Sequence, residues 1–276
     1  MPLTFHKMHG AGNDFVLFDL RDQDFKLDSR RAGMIADRRL GIGCDQILVL
    51  RRARNAKNAA RYEIWNSDGS PAGQCGNGAR CIGLYLRNCG DIADEDFELE
   101  SPSGKIRLRS CEDGEFEVEM GIPEFEAANV PTTLKPDSGV YPLDSPWGRL
   151  ELGVASMGNP HALTVVDDIS DSTIPAKGAF ISTHKAFPEG CNAGFAEIQN
   201  RRKIRLRVYE RGAGETLACG SGACAAMAIL RRARSLDEVV DVLLPGGLLV
   251  IKWPGGRQQL TMKGPADYVF KGKLNG

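Results

Sequence analysis

Cys75 and Cys219 each open a near-copy of one short motif, C-G-N-G-A and C-G-S-G-A, set 144 residues apart. Each thiol is followed by a glycine-spaced turn and an apolar run at helical spacing, Ala79 to Leu86 and Ala223 to Leu230. This predicts a sulfur at each of two helix N-termini. There, backbone N–H groups and the helix dipole lower a cysteine pKa from about 8.5 into a range of about 3.5 to 7.5. Two poised thiols facing one site would suit stereoinversion, one removing a proton and the other returning one to the opposite face.

Other polar residues repeat in step with the cysteines. Asn13 and Asn159 lie 146 residues apart, as do Gln46 and Asn192, and Asn66 and Glu210 each stand nine residues before their cysteine. With the cysteines, four polar positions recur at a nearly constant offset, which indicates a duplicated structure. We expect two halves, 1–117 (with 263–276 returning to it) and 118–262, related by a pseudo-twofold axis with the site at their junction.

The elements that must position these groups are many short strands and few helices. Strands are expected at 15–20, 47–50, 61–65, 97–100, 106–109 and 116–120, and again at 150–154, 162–166, 196–199, 204–209, 239–244, 248–252 and 259–262. Alternation as in F-E-V-E-M points to antiparallel sheet with one wet face. Pro245-Gly246-Gly247 reads as a hairpin turn. A helix is expected from Ser29 to Leu40, capped by Asp28 or Ser29 and stopped by Gly41, with a counterpart around Pro175 to Lys185. The two helices after the cysteines are the most apolar, so each should run through the middle of its half. The Pro-rich segment Pro123 to Pro146 reads as the crossing between halves.

The chain has 276 residues, 42% of them apolar, enough to bury a sizeable core, and a net charge of −1. That balance gives no general attraction to nucleic acid or an anionic membrane. No signal-peptide core is present in 1–7 and no apolar run reaches the roughly 18 residues of a membrane span, so a cytoplasmic protein is expected. Eight cysteines in so long a chain are too sparse for a disulfide scaffold. No C-x-x-C pair exists, so no metal site is expected. Cys81, Cys89, Cys111 and Cys224 read as small core residues.

Taken in order, K-M-H-G-A-G-N-D-F at 7–15, G-I-G-C-D-Q at 41–46, N-S-D-G-S at 66–70, Q-C-G-N-G-A-R-C at 74–81, G-N-P-H at 158–161 and Y-E-R-G-A-G-E-T-L-A-C-G-S-G-A at 209–223 resemble the diaminopimelate epimerases over nearly the whole chain. Proline and hydroxyproline racemases share the paired-cysteine plan but carry histidine where Asn77 stands here. The resemblance implies an α/β (α+β) fold of two pseudo-symmetric halves, each an antiparallel, barrel-like sheet wrapped around a central helix, with the active site in the cleft between them. It implies interconversion of LL- and meso-diaminopimelate without pyridoxal phosphate or metal, on the path to lysine and peptidoglycan precursors, by a homodimer.

The chemistry accounts for the residue types. Without a cofactor as electron sink, charge developing at the α-carbon must be held by fixed donors near the carboxylate. Backbone N–H groups at Gly76, Asn77, Gly220 and Ser221 supply them, because glycine permits close approach. The resemblance places His161 and Glu210 to accept or relay protons at the cysteines. Recognition of the non-reacting end falls to Asn13, Gln46, Asn66, Asn159, Asn192, Glu210 and Arg211, with the Arg211 fork for a carboxylate and amide oxygens and Glu210 for an ammonium.

Overall fold

The structure is a computed structural model that describes residues 2–23 and 25–274. The chain runs β1 Leu3–Gly10, β2 Asn13–Asp19, α1 Ser29–Ala36, β3 Gln46–Arg51, β4 Ala60–Asn66, β5 Pro71–Ala72, α2 Gly76–Cys89, β6 Asp96–Ser101, β7 Gly104–Ser110 and β8 Phe116–Gly121. It continues β9 Tyr141–Ser145, β10 Gly148–Ser156, β11 Pro160–Val165, α3 Ile174–Ser182, β12 Asn192–Asn200, β13 Lys203–Glu210, β14 Gly214–Thr216, α4 Gly220–Arg232, β15 Val239–Leu244, β16 Gly247–Lys252, β17 Leu260–Gly264 and β18 Asp267–Leu274. Two compact units result, Met1–Glu119 with Lys263–Gly276, and Met120–Met262.

Each unit repeats one order of strands. In the first, β18 pairs with β1, β1 with β2, β2 with β3, β3 with β4, β4 with β6, β6 with β7 and β7 with β8. In the second, β9 pairs with β10, and β10, β11, β12, β13, β15 and β16 follow in the same way. The short β5 and β14 lie against β4 and β13 at equivalent places.

The sheets are mixed rather than wholly antiparallel. Among the described residues four pairs are parallel, β2 with β3, β4 with β6, β11 with β12 and β13 with β15. Each is bridged by one of the four helices, because two parallel strands need a crossover long enough to return the chain to the same end. Alternation along a strand reports wet and dry faces but says nothing of the direction of its neighbour, so the sequence did not reveal these pairs.

The helices within each unit divide between outside and inside. Phe15, Val16, Leu17 and Phe18 of β2 are all buried, so both faces of that strand are covered. Val16 and Phe18 pack with Ala32, Ile35 and Ala36 of α1. Phe15 and Leu48 point the other way, against Gly78 of α2. α2 buries every residue from Gly76 to Ile82 and touches β1, β7 and β18, strands from both ends of its sheet, so the sheet curls around it. α4 is enclosed in the same manner by β10, β11, β12, β15 and β16. α3 packs on the other face, where Ile174 and Ile181 meet Ala193 and Phe195.

Several local expectations need correction. α1 stops at Ala36, not Leu40, because the Asp37 carboxylate accepts from the backbone N–H groups of Arg39 and Leu40, 2.7 Å each, and draws them out of the helix. Gly41 does not supply a left-handed stop; a Cβ there would lie 2.1 Å from the Met34 carbonyl oxygen. The segment 123–146 contains β9, and β1, β5, β14 and β18 are further unforeseen strands. Cys89 is exposed at the last turn of α2 and Cys111 is half-exposed in the turn after β7, so neither is a core residue.

Candidate active site

Each cysteine is the N-cap of the central helix of its unit. Cys75 and Cys219 are extended, with φ of −147° and −114°, and the helices begin at Gly76 and Gly220. Small residues follow each cysteine because the first turn is crowded. A Cβ at Gly78 would meet Leu48 at 3.0 Å and Phe15 at 3.4 Å. One at Gly222 would meet Val208 at 3.0 Å and the Cys219 sulfur at 3.2 Å.

Around Cys75 the polar groups are amides. The Gly78 N–H donates to the sulfur at 3.4 Å, and the thiol donates to Asn13 Oδ1 at 3.8 Å. The same Asn13 oxygen accepts from Asn77 Nδ2 at 3.2 Å, while Asn13 Nδ2 donates to Asp45 at 3.0 Å. Asn77 Oδ1 accepts from the fully buried Arg80 at 2.9 Å. Gln46 and Asn66 lie opposite each other on β3 and β4, Gln46 Nε2 donating to Asn66 Oδ1 at 2.9 Å, and Asn66 donates to Ser70 at 3.0 Å.

Around Cys219 an acid and an imidazole take the amides' places. Ser221 Oγ lies 3.7 Å from the Cys219 sulfur and accepts from Asn159 Nδ2 at 3.5 Å; Asn159 Oδ1 in turn accepts from His161 Nε2 at 3.0 Å. His161 is buried, and desolvation first and Arg211 second press its pKa down to about 3, so the ring is neutral. Its Nε2 carries the proton, leaving Nδ1 an acceptor. Glu210 Oε1 accepts from Thr216 Oγ1 at 2.6 Å, and its carboxylate also acts on Cys219 by charge and by hydrogen bond.

Burial raises the Cys219 thiol well above the ordinary cysteine value, and the Glu210 charge adds to that rise; hydrogen bonds from Ser221 and Gly222 oppose it. The expected lowering at a helix N-terminus therefore does not prevail at Cys219. Desolvation in a site that leaves the residue 4% exposed outweighs the first-turn amides, and the resting group is a thiol.

The remaining expected residues fall beside these two clusters. Asn192 is buried opposite His161 in the β11–β12 register, donates to the Pro160 carbonyl at 3.5 Å and accepts from the Arg211 N–H at 2.9 Å. The Arg211 guanidinium donates to the Glu189 carbonyl at 2.6 Å, so part of its fork is already engaged. Sequence reasoning missed Asp45, Ser70, Arg80 and Thr216. Asp45 and Arg80 were visible as charges inside the motifs G-C-D-Q and C-G-N-G-A-R-C, but nothing in a linear pattern says which way a charge points.

These two units, each with a thiol N-cap and a polar cluster, have the fold of solved racemase and epimerase structures. A proline racemase structure from Agrobacterium radiobacter and a hydroxyproline epimerase structure from Agrobacterium vitis both align with a TM-score of 0.72, over 99% of this chain and 93% and 92% of theirs, at 16% and 14% identity. The diaminopimelate epimerase family profile matches residues 5–126 and 153–269. The diaminopimelate epimerase of Xanthomonas axonopodis pv. citri is 45% identical over 99% of this chain and 96% of its own. That of Chromobacterium violaceum is 46% identical over 99% of each chain. The chain belongs to the diaminopimelate epimerase family.

Proposed function

We propose that this protein interconverts LL- and meso-diaminopimelate, with Cys75 and Cys219 as the acid–base pair. The observation that carries the reading is the duplicated thiol N-cap, each copy with its own polar cluster, in a chain of this family. One sulfur, as thiolate, takes the α-hydrogen as a proton, leaving the electron pair on carbon. The other, as thiol, donates its proton to the opposite face and becomes the thiolate. No sulfur changes oxidation state, and the enzyme ends with its proton on the other cysteine, ready for the other stereoisomer.

Desolvation that keeps Cys219 a thiol supports the reading in which one proton is shared between the two sulfurs. The first-turn amides of Gly76, Asn77, Gly220 and Ser221 are positioned by type and place to hold the substrate carboxylate at a helix N-terminus. Glu210 maintains the protonation of Cys219 by its charge, and His161 orients Ser221 at the sulfur through Asn159. Asn13, Gln46, Asn66, Asn159, Asn192, Glu210 and Arg211 recognise the distal amino acid centre. The reaction needs no pyridoxal phosphate in this scheme and supplies lysine and peptidoglycan precursors. The same reading makes the protein a cytoplasmic homodimer; among the described residues no helix is long and apolar enough to cross a membrane.

The test is a stereochemical assay of the reduced protein on LL-diaminopimelate in deuterium oxide, with proline as the competing substrate. Deuterium should enter the α-position of diaminopimelate with inversion, and proline should remain unlabelled. Labelling of proline alone, or of neither, would refute the assignment.

A further inference from the structure

The amides beside Cys75 are not free to choose their orientation. An asparagine amide has nearly the same shape when its oxygen and nitrogen exchange places, so an isolated Asn–Asn pair could present either atom to the sulfur. Here the pair is closed at both ends by groups that allow one answer. Asp45, an acceptor, takes the hydrogen of Asn13 Nδ2 at 3.0 Å. Arg80, which can only donate, gives to Asn77 Oδ1 at 2.9 Å. With both ends set, Asn77 must donate to Asn13, and the Asn13 carbonyl oxygen must face the thiol at 3.8 Å.

We infer that Asp45 and Arg80 are positioning residues for Cys75, two opposite charges that lock the Asn13 and Asn77 amides in one direction and so set where the thiol proton points. The inference rests on the reading of Cys75 as an acid–base group. The end charges are themselves held. Arg38 donates to Asp45 at 2.8 Å, and Arg80, fully buried, also donates to the Pro265 carbonyl at 3.3 Å. Tyr62 on β4 and Cys81 on α2 also sense the Cys75 charge; burial raises both, so both are neutral and neither competes for the direction of the relay.

Either end alone fixes the pair, so both must be released before the amides can turn. Asp45→Ala, at a half-exposed site, removes the acceptor, and Arg80→Gln replaces a pure donor by an amide that can donate or accept. In the double variant Asn13 and Asn77 turn together and Asn13 presents N–H to the sulfur, a hydrogen bond that favours the thiolate. The experiment measures the turnover number and, by mass spectrometry, the pH dependence of iodoacetamide alkylation at Cys75, with Cys219 in the same molecules as the reference. For Asp45→Ala/Arg80→Gln we expect turnover to fall about tenfold and Cys75 to alkylate about threefold to tenfold faster at neutral pH, with Cys219 no faster. Asp45→Ala/Arg80→Lys, in which the second end can again only donate, should restore the parent Cys75 profile. A Cys75 profile that does not move in Asp45→Ala/Arg80→Gln, or that moves equally with Cys219, overturns the inference. The epimerase reading is judged separately: it fails if the parent protein does not invert diaminopimelate, whatever the double variant does.

Discussion

The two thiol clusters share a backbone plan and differ in chemistry. Cys75 is half-buried among amides whose direction is set by a permanent anion and a permanent cation. Cys219 is buried beside a carboxylate and reaches a neutral imidazole through Asn159 and Ser221. The hairpins that deliver the two leading asparagines differ as well. Gly10 pairs with Asn13 across a two-residue turn with positive φ at Ala11 and Gly12, whereas Ser156 pairs with Pro160 across three residues. A duplicated fold thus keeps helix, cap and offset while each copy surrounds its own sulfur differently, which fits the proposed pair of proton-transfer groups with opposite resting tasks.

The sharpest way to break this comparison is to remove each thiol in turn. Cys75→Ala and Cys219→Ala should each lower the turnover number at least about a thousandfold, and full activity in either variant would end the two-thiol scheme.

The next effect concerns His161. Its folded pKa of about 3 lies below the ordinary 6.5, so the unfolded chain binds this proton more readily. The contribution to stability is complete above about pH 6.5 and is lost as pH falls toward 3; by about pH 4 the loss reaches about 3 kcal/mol. In His161→Asn, the difference between urea-unfolding free energies at neutral pH and about pH 4 should shrink by that amount. An undiminished acid loss would show that another group carries it.

Glu210→Gln removes the charge that adds to the burial of Cys219. The pH midpoint for alkylation of Cys219 should fall while that of Cys75 stays, with turnover down about tenfold. Smaller still are the helix glycines. Gly78→Ala and Gly222→Ala should each cost about 1 kcal/mol through overpacking, but Gly222→Ala presses on the sulfur and should lose more activity than Gly78→Ala at equal stability.

The least effect separates the helix ends. Asp91 N–H bonds Leu86 O, and Ser235 N–H bonds Leu230 O, 3.0 Å each, yet the left-handed residue is Gly90 in the first case and Arg234, at φ 62°, in the second. Arg234→Gly should stabilise the protein by about 0.5 kcal/mol, the strain relieved less the added freedom of the unfolded chain, and Gly90→Ala should cost about 1 kcal/mol. Thermal midpoints moving in the same direction for both variants would contradict this account.

Most regular elements were legible because their patterns are local. β15 at Val239–Leu244 and the Pro245–Gly246 turn were read from apolar alternation and turn residues alone. β9 escaped because Pro142 argues against a strand, and β18 because its side chains are largely exposed and show little apolar alternation. At the site, residue identity and offset drew attention to Cys75, Asn13 and Asn77, but not to Arg80, whose importance comes from lying fully buried with its guanidinium on the Asn77 oxygen.

The sequence by itself determined that the chain holds two thiols in matched motifs, each at the start of an apolar helix, because glycine spacing, apolar periodicity and a constant offset are properties of neighbours along the chain. The tertiary structure alone decided that helices bridge parallel strands, that Cys219 rests as a thiol despite its helix terminus, and that Asp45 and Arg80 face opposite ends of one amide pair. Those outcomes depend on desolvation and on donors meeting acceptors from distant segments, and such quantities exist only once the chain has folded.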